Sequence, residues 1–274
     1  MKPTIQLAHG GGGTLTHTLI REHIVSVLGN PRLDPLLDSA VLPQVEGRIC
    51  MTTDSFVVDP LEFPGGNIGN LAVGGTVNDL AMMGAEPLSL SLAFIIEEGL
   101  PMATLDTVIR AIADDAARAG VEIVTGDTKV IEHRHGGGLY INTAGIGRLP
   151  GDLTLSTAGI VAGDRVIVTG NIAEHGLAVM STREGLAFDT DLKSDVAPLN
   201  GLVADVLAAG AQVKFMRDPT RGGVAGVLVD LCEATGLSIA IDETAVPLTP
   251  AARHTAELLG FDPLYIANEG KAVI

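Results

Sequence analysis

The sequence predicts a protein of two α/β domains, and three observations support this fold class. Segments with strand periodicity alternate with segments of helical periodicity along the chain. Prolines and glycines cluster at residues 149–162, and a new alternation of strand and helix begins after them. Hydrophobic residues make up 46% of the 274 residues and charged residues 18%, a balance that favours a large folded core over disorder. We therefore predict one domain at residues 1–155 and a second at residues 156–274.

The N-terminal domain is predicted from helix and strand patterns that glycine and proline separate. Thr14 is a good N-cap for the first helix, and Gly120 closes the last one. The helix between them consists mostly of small residues, including Gly69, Gly74 and Gly75. We predict helices at residues 14–28, 67–83 and 104–119, and strands at 48–53, 56–58, 88–96, 121–125 and 139–146.

The C-terminal domain shows a second set of alternating patterns. Its segment Arg217–Gly223, with the sequence Arg-Asp-Pro-Thr-Arg-Gly-Gly, opens a helix that runs to about residue 234. The last four residues have the pattern of a strand that has only begun, so we expect the natural chain to continue beyond Ile274. We predict further helices from residue 174, at 202–209 and at 251–259, and strands at 165–169, 238–241 and 264–274.

Composition argues against several classes of function. The net charge of −16 argues against a nucleic-acid surface, which needs clustered lysine and arginine. The sequence shows no long apolar span and no signal-peptide pattern, so we expect a soluble, cytoplasmic protein without membrane contact. Cys50 and Cys232 lie far apart and form no C-x-x-C motif, which excludes a cysteine-rich zinc or redox site on these residues.

Three separated acidic motifs carry the main functional signal. Asp54 follows an apolar strand, Asp79 lies in the small-residue helix, and Asp127 follows the strand that ends at residue 125. Carboxylates are ligands that Mg²⁺ prefers, and small residues beside them let phosphate groups approach. The Gly10–Gly13 run precedes a helix N-terminus, which suits a segment that covers phosphates. Together these features predict an ATP site that is built from several segments.

Each motif also has a purely structural interpretation. Asp54 fits ordinary turn chemistry, and the glycines around Asp79 fit close packing of the helix against another backbone or a phosphate. Gly10–Gly13 fits a flexible linker equally well. Asp127 and Lys129 fit a salt-bridged surface turn. For this last pair alone the functional interpretation is slightly favoured, with Asp127 on a metal and Lys129 on a phosphate or as a proton carrier.

Two segments of the second domain add to this signal. Arg217–Gly223 combines a capping threonine, a cation and two glycines at a helix start, which suits an anion site. Glu269 lies in an apolar strand, where a buried carboxylate has a raised pKa and can transfer protons; an exposed turn is the alternative. His133 and His135 form a His-x-His pair without an evident third ligand, so we interpret them as part of a loop.

In this order, the segments resemble the HypE family of hydrogenase maturation proteins over essentially the whole chain. That family belongs to a superfamily of ATP-binding proteins with aminoimidazole ribonucleotide synthetase, thiamine-monophosphate kinase and selenophosphate synthetase. The acidic motifs are shared across the superfamily, whereas Gly-Asp-Thr-Lys-Val and Asp-Pro-Thr-Arg-Gly-Gly look specific to HypE. The matching segments are His9–Gly13, Thr53–Val58, Gly75–Pro87, Thr125–Val130, Arg217–Gly223 and Asn268–Gly270.

The resemblance implies a fold and a site. It implies an N-terminal mixed sheet with helices on one face, a C-terminal α/β sandwich, and a homodimer joined through N-terminal strands with ATP near the interface. It implies that Asp54, Asp79 and Asp127 hold Mg²⁺, and that Lys129 and Glu269 remove protons. The residues that it places at the nucleotide are Gly11, Gly12, Asp54, Asn70, Asp79, Gly126, Asp127 and Thr128.

The resemblance also implies an activity and partners. HypE is an ATP-dependent carbamoyl dehydratase that converts a carbamoylated C-terminal cysteine to thiocyanate, from which the [NiFe]-hydrogenase receives cyanide. The implied partners are the carbamoyltransferase HypF and the HypC–HypD complex. The family chain ends in Pro-Arg-Ile-Cys, which does not follow Ile274 in this sequence. Two alternatives stay open: another small-molecule kinase or synthetase of the superfamily, and a non-catalytic, nucleotide-binding dimeric scaffold.

Overall fold

A four-stranded mixed sheet forms the centre of the N-terminal half. The structure, a computed structural model, describes residues 3–133, 138–185 and 191–274. The strand order is β1–β6–β4–β5, in which β6 runs antiparallel to β1 and β4, and β5 runs parallel to β4. A separate ribbon pairs β2 with β3. The strands are β1 Arg48–Phe56, β2 Glu62–Phe63, β3 Gly66–Asn67, β4 Glu86–Glu97, β5 Glu122–Ile131 and β6 Leu139–Leu149.

Two helices, α3 (Ile68–Met82) and α4 (Met102–Ala119), supply most of the core that covers one face of this sheet. Asn67 starts α3, because its side chain accepts a hydrogen bond from the backbone of Gly69. Gly120 ends α4 with a positive φ of 70°. The mixed sheet with helices on one face is therefore as predicted, and no helix within the described ranges is long and apolar enough to cross a membrane.

The predicted first helix contains a change of helical type. It begins as α1 (Thr14–Thr18), widens into a π-helix at Leu19–Val25, and ends as α2 (Ser26–Leu28). Leu19 and Ile24 are both buried. They are five residues apart, so the wider turn brings both side chains toward the core, which a regular α-helix would not do.

Two of the predicted strands are longer in the structure than the sequence indicates. β1 runs through Asp54, which pairs with Thr143 of β6, and β5 runs through Asp127. Both acidic residues therefore lie within strands and not after them. The reason is that the long neighbouring strands β6 and β4 continue to offer backbone partners past the predicted ends.

The C-terminal half is built mainly from helices. The extended segments 167–169 and 272–274 exchange backbone hydrogen bonds, and Arg217 pairs with Val273, but these contacts are isolated bridges. The strands predicted at 165–169, 238–241 and 264–274 are therefore wrong as regular strands. A cavity of about 480 Å³ is lined by both 165–167 and 237–239, so these segments do not form a ladder. The helices are α5 Glu174–Arg183, α6 Asn200–Ala208, α7 Gly223–Thr235 and α8 Pro250–Leu259.

Asn78 of α3 joins the two halves of the chain. Its side-chain amide donates to the backbone oxygens of Ala197 (3.0 Å) and Glu269 (3.2 Å), and its oxygen accepts from the backbone of Leu199 at 2.7 Å. Nearby, the backbone of Ser194 donates to the oxygen of Pro64 at 2.7 Å. The division at residues 155 and 156 stays a prediction, and the loop interpretation of His135 lies outside the described residues.

Candidate functional site

Two of the predicted acidic residues, Asp54 of β1 and Asp79 of α3, lie together where this strand crosses the helix. The Thr52 hydroxyl donates to the Asp79 carboxylate at 2.8 Å. A Cβ atom on Gly75 would lie 2.8 Å from the Phe56 ring and 3.5 Å from Asp54 Oδ2. The glycine at this point of α3 therefore lets strand and helix approach closely, as the packing interpretation of the sequence predicted.

The loop before α7 brings Asp218 and Arg221 to the same place. Their charges act on Asp54 and on Asp79. The loop is fixed by Thr220, whose hydroxyl donates to Asp218 at 2.7 Å and lies 3.3 Å from the Asn268 backbone oxygen. The two glycines of this motif have positive φ, and a Cβ on Gly223 would lie 2.4 Å from the Leu264 oxygen. They are needed for backbone packing, so the anion-site interpretation rests on Arg221 alone.

We call Asp54, Asp79, Asp218, Glu269 and Arg221 the acidic cluster. Burial is the main cause that raises the pKa of Asp54 and of Asp79 above the usual range, and the charge of Asp218 raises both further. Arg221 lowers both pKa values, but a single cation does not balance this set of carboxylates. A bound cation would relieve the repulsion, which is the chemistry of a metal site.

Glu269 occupies the most buried position in the acidic cluster. Burial raises the pKa of its carboxyl to about 8, with further contributions from Asp218, Asp195, Asp54 and Asp79. Its backbone is firmly held: Asp195 accepts hydrogen bonds from the amides of Glu269 and Gly270 at 3.2 and 3.3 Å. A carboxyl group with this pKa exchanges protons near neutral pH, which suits a general base or acid.

Most of the other predicted residues line a second site, the glycine pocket, between β5 and the N-terminal segment. Its volume is about 320 Å³, and Gly10, Gly12, Thr16 and residues 125–129 are among its lining residues. Gly11 does not line this pocket. The Gly12 amide donates to the Thr16 hydroxyl at 2.9 Å, which holds the glycine run against the start of α1. Within β5 both charged residues of the predicted pair are exposed.

One chain does not bring Asp127 to Asp54 and Asp79. The register pairs Asp54 with Thr143, Thr143 with Leu92, and Leu92 with Gly126, so three strand spacings separate the two sites. This corresponds to about 14 Å. Accordingly, no group of three or more potential metal ligands is assembled within the described part of the chain. The predicted roles of Asp54, Asp79 and Asp127 at a shared metal remain predictions.

Asn70, another predicted nucleotide residue, has a structural role in this chain. Its side-chain oxygen accepts from the Asn67 backbone, and its amide donates to Asp115 at 3.1 Å. By contrast, sequence analysis missed two residues beside Glu269. Asp195 and His175 lie in segments without a recognisable motif, and only the folded contacts identify them.

Family models match both halves of the chain. The AIR synthase related protein N-terminal domain matches residues 37–149, and the corresponding C-terminal domain matches residues 161–274. The fold class is therefore confirmed.

Similar proteins indicate which branch of the AIR synthase related proteins this chain resembles. The chain is 49% identical over 270 residues to carbamoyl dehydratase HypE of Rhizobium leguminosarum bv. viciae, covering 98% of this chain and 77% of that protein. The crystal structure of hydrogenase maturation protein HypE in complex with ATP is 43% identical, with a TM-score of 0.95, over 98% of this chain and 80% of that one. A HypE–HypF complex matches with 47% identity and a TM-score of 0.80, over 93% of this chain and 83% of that one. The chain therefore belongs to the HypE family of the AIR synthase related proteins.

Proposed function

We propose that this protein is an ATP-dependent carbamoyl dehydratase that acts in hydrogenase maturation. The observation that carries the proposal is Glu269, a buried carboxyl with a pKa of about 8 inside a cluster of carboxylates. Relatives that are 49% and 46% identical to this chain are named carbamoyl dehydratase HypE. In this reaction a cysteine thiocarbamate, S–C(=O)–NH₂, becomes a thiocyanate, S–C≡N. The carbonyl oxygen leaves with the terminal phosphate of ATP, and the nitrogen loses two protons.

The side chains of this chain fit that chemistry. An amide oxygen is a poor leaving group until it is phosphorylated, and the nitrogen protons then need a base. We propose Glu269 and Lys129 for proton removal. Glu269 is suited to this because burial raises its pKa to about 8, so its ionised carboxylate is a stronger base than that of an exposed glutamate.

The carboxylates of the acidic cluster are the ligand type that Mg²⁺ prefers, although the described residues of one chain assemble no set of three ligands. Burial, with the nearby charge of Asp218, raises the pKa of Asp54 and of Asp79, so a cation beside them would be favourable. Bound Mg²⁺ would supply that charge and neutralise phosphate oxygens. We propose Asp54, Asp79 and Asp127 as metal ligands. The proposed nucleotide contacts additionally include Gly11, Gly12, Asn70, Gly126 and Thr128.

We propose further that two copies of the chain complete the site. The acidic cluster and the glycine pocket lie on opposite edge strands of one sheet, so β5 of a second copy can supply the Asp127 and Lys129 that the cluster lacks. Exposed apolar side chains on β1 support a homodimer through this sheet, since Ile49 is 60% and Met51 70% exposed.

The proposed partners follow from the family. A relative forms a complex with HypF, and we propose HypF as the carbamoyl donor for this protein as well. The HypC–HypD complex as cyanide acceptor and the cytoplasm as location are proposed on the family resemblance.

The test uses the full-length gene product incubated with HypF, carbamoyl phosphate and ATP. Intact-mass spectrometry should show a carbamoyl adduct and then a thiocyanate. In Lys129→Ala and Glu269→Ala, we expect retained ATP binding and carbamoylation but no thiocyanate. The exposed surface variant Glu184→Gln serves as the control. Thiocyanate at the normal rate would remove the substituted residue from the mechanism.

The same experiment separates the alternative functions. A small-molecule kinase would turn over ATP without the carbamoyl adduct. A non-catalytic scaffold would bind ATP and form no thiocyanate under any condition.

A further inference from the structure

We propose that His175 is a positioning residue that orients the Glu269 carboxyl for proton transfer. The inference rests on the proposed function, because it assigns a partner to the base of that reaction. His175 Nε2 lies 3.9 Å from Glu269 Oε1, so a small side-chain rotation would bring the two atoms into a hydrogen bond. Among the described residues this carboxyl forms no hydrogen bond, so the imidazole is a candidate partner for it.

Within this proposal the Ser194 hydroxyl donates to His175 and so sets which ring nitrogen carries the proton. The Ser194 hydroxyl oxygen lies 2.8 Å from His175 Nδ1 and accepts a hydrogen bond from the Val196 backbone at 3.1 Å. The hydroxyl hydrogen is therefore available to donate to Nδ1. A histidine that accepts at Nδ1 carries its proton on Nε2, the nitrogen that faces Glu269.

The β2–β3 ribbon of the N-terminal half fixes the ring in this orientation. The Phe63 and His175 rings meet edge to face, with centroids 5.4 Å apart and an interplanar angle of 86°. A Cβ on Gly65 would lie 2.7 Å from the Ser194 oxygen, so the ribbon also packs directly against the residue that orients the ring. His175 thus connects the N-terminal half to the proposed base in the C-terminal half.

The pKa values at this place favour a His175 that orients the Glu269 carboxyl over a His175 that takes up its proton. Burial lowers the pKa of His175 to about 4, against the opposing charge of Asp195, so the ring is neutral at neutral pH. Glu269, with a pKa of about 8, holds its proton far more strongly than this ring does, so transfer of that proton to the ring is unfavourable. The other charged groups at this place are Asp218, Glu174 and Lys271, of which Lys271 lies 3.2 Å from Asp195.

Two variants of His175 distinguish orientation from packing. His175→Gln keeps an N–H donor near the position of Nε2, whereas His175→Phe keeps a ring against Phe63 and removes the donor. In the full-length protein, we expect His175→Gln to form thiocyanate within about threefold of the wild-type rate. We expect His175→Phe to lose about 10- to 100-fold in that rate, with ATP affinity and carbamoylation unchanged.

The opposite ranking, with His175→Phe active and His175→Gln inactive, would overturn the proposal in favour of ring packing. Equal rates in both variants and the wild type would also overturn it. A wild-type protein that is carbamoylated but forms no thiocyanate would instead contradict the proposed function.

A second measurement is independent of activity. Nitrogen-15 NMR of the 274-residue chain should show His175 as the neutral Nε2–H tautomer between about pH 5 and pH 8. In Ser194→Ala, which removes the donor to Nδ1, we expect this preference to weaken. A protonated ring in that pH range, or the Nδ1–H tautomer, would overturn the proposal even if a variant fails to fold.

Discussion

The acidic cluster and the glycine pocket share one sheet but differ in how they are built. Residues from both halves of the chain form the acidic cluster, and burial raises the pKa of Asp54, Asp79 and Glu269. The glycine pocket uses an edge strand and the N-terminal segment, and its charged residues are exposed. The cluster therefore concentrates charge, whereas the pocket offers backbone amides and space. A metal-bound triphosphate needs both properties, and one chain supplies them about 14 Å apart.

The largest expected effect is the return of Mg·ATP binding when two inactive variants, one changed in each region, form dimers with each other. Asp79→Ala and Asp127→Ala should each abolish Mg·ATP binding while the dimer survives. Co-expressed with different tags, the two variants should regain roughly a quarter of the wild-type binding stoichiometry, because half of randomly paired dimers then contain one intact site. Calorimetric titration measures the stoichiometry, and light scattering confirms the dimer.

A matched control for this experiment is Asp79→Ala co-expressed with itself under both tags, which should bind nothing. If the mixed dimers also bind nothing, the two regions do not form a shared site. Normal binding by Asp79→Ala alone would remove that residue from the nucleotide site.

The second effect concerns the pH dependence of the acidic cluster. The folded state raises the pKa of Glu269 from its usual 4.5 to about 8, so the folded protein holds a proton that the unfolded chain releases. This contribution to stability is fully present below about pH 4.5 and is lost as the pH rises through about 8. Without metal, we expect the free energy of unfolding to fall by on the order of 4 kcal/mol between pH 5 and pH 8. Urea unfolding at both pH values measures it.

Glu269→Gln should remove most of this pH dependence, whereas the exposed Glu184→Gln should not. The raised pKa values of Asp54 and Asp79 act in the same direction, at lower pH. A wild-type protein that becomes more stable between pH 5 and pH 8 would contradict the burial of this carboxyl.

The smallest effects separate two glycines of the glycine pocket. In Gly126→Ala the new Cβ would lie 2.2 Å from the Leu92 backbone oxygen, so we expect a loss of about 3 kcal/mol in stability. In Gly12→Ala nothing lies within 4 Å, and only the positive φ of 81° opposes the change, at about 1 kcal/mol. Thermal unfolding should show this order. If Gly12 contacts phosphate, Gly12→Ala should weaken ATP binding by more than its small loss of stability explains; unchanged affinity would argue against that contact.

The sequence predicted the chemistry of both regions better than their arrangement. Asp54, Asp79, Asp127 and Glu269 stand out because carboxylates beside glycines or in apolar segments are chemically unusual. The separation of Asp54 and Asp127 on opposite edge strands depends on strand order, which no local pattern encodes. For the same reason His175 and Asp195 could not be found, since their contacts with residue 269 join segments more than 70 residues apart in sequence.

The C-terminal strands illustrate a second limit. Residues 165–169 and 238–241 have β-branched, apolar sequences, but a strand needs a partner at the right distance. Within the described part of the chain, only 272–274 pairs with the first of these segments, and a cavity lies beside both. Periodicity predicts which residues favour an extended backbone, whereas tertiary packing determines whether a sheet forms.

Asn78 has a mechanical consequence for catalysis. It precedes Asp79 directly, and it holds residues 197, 199 and 269 against α3 by three hydrogen bonds. A hinge motion between the halves would have to break all three at once, at about 1 kcal/mol each. We therefore expect the proposed metal ligand and the proposed base to move as one rigid body. In the proposed reaction, we then expect the carbamoylated cysteine to reach the site by motion of the peptide that carries it, because the Asn78 hydrogen bonds hold the two halves of the site together.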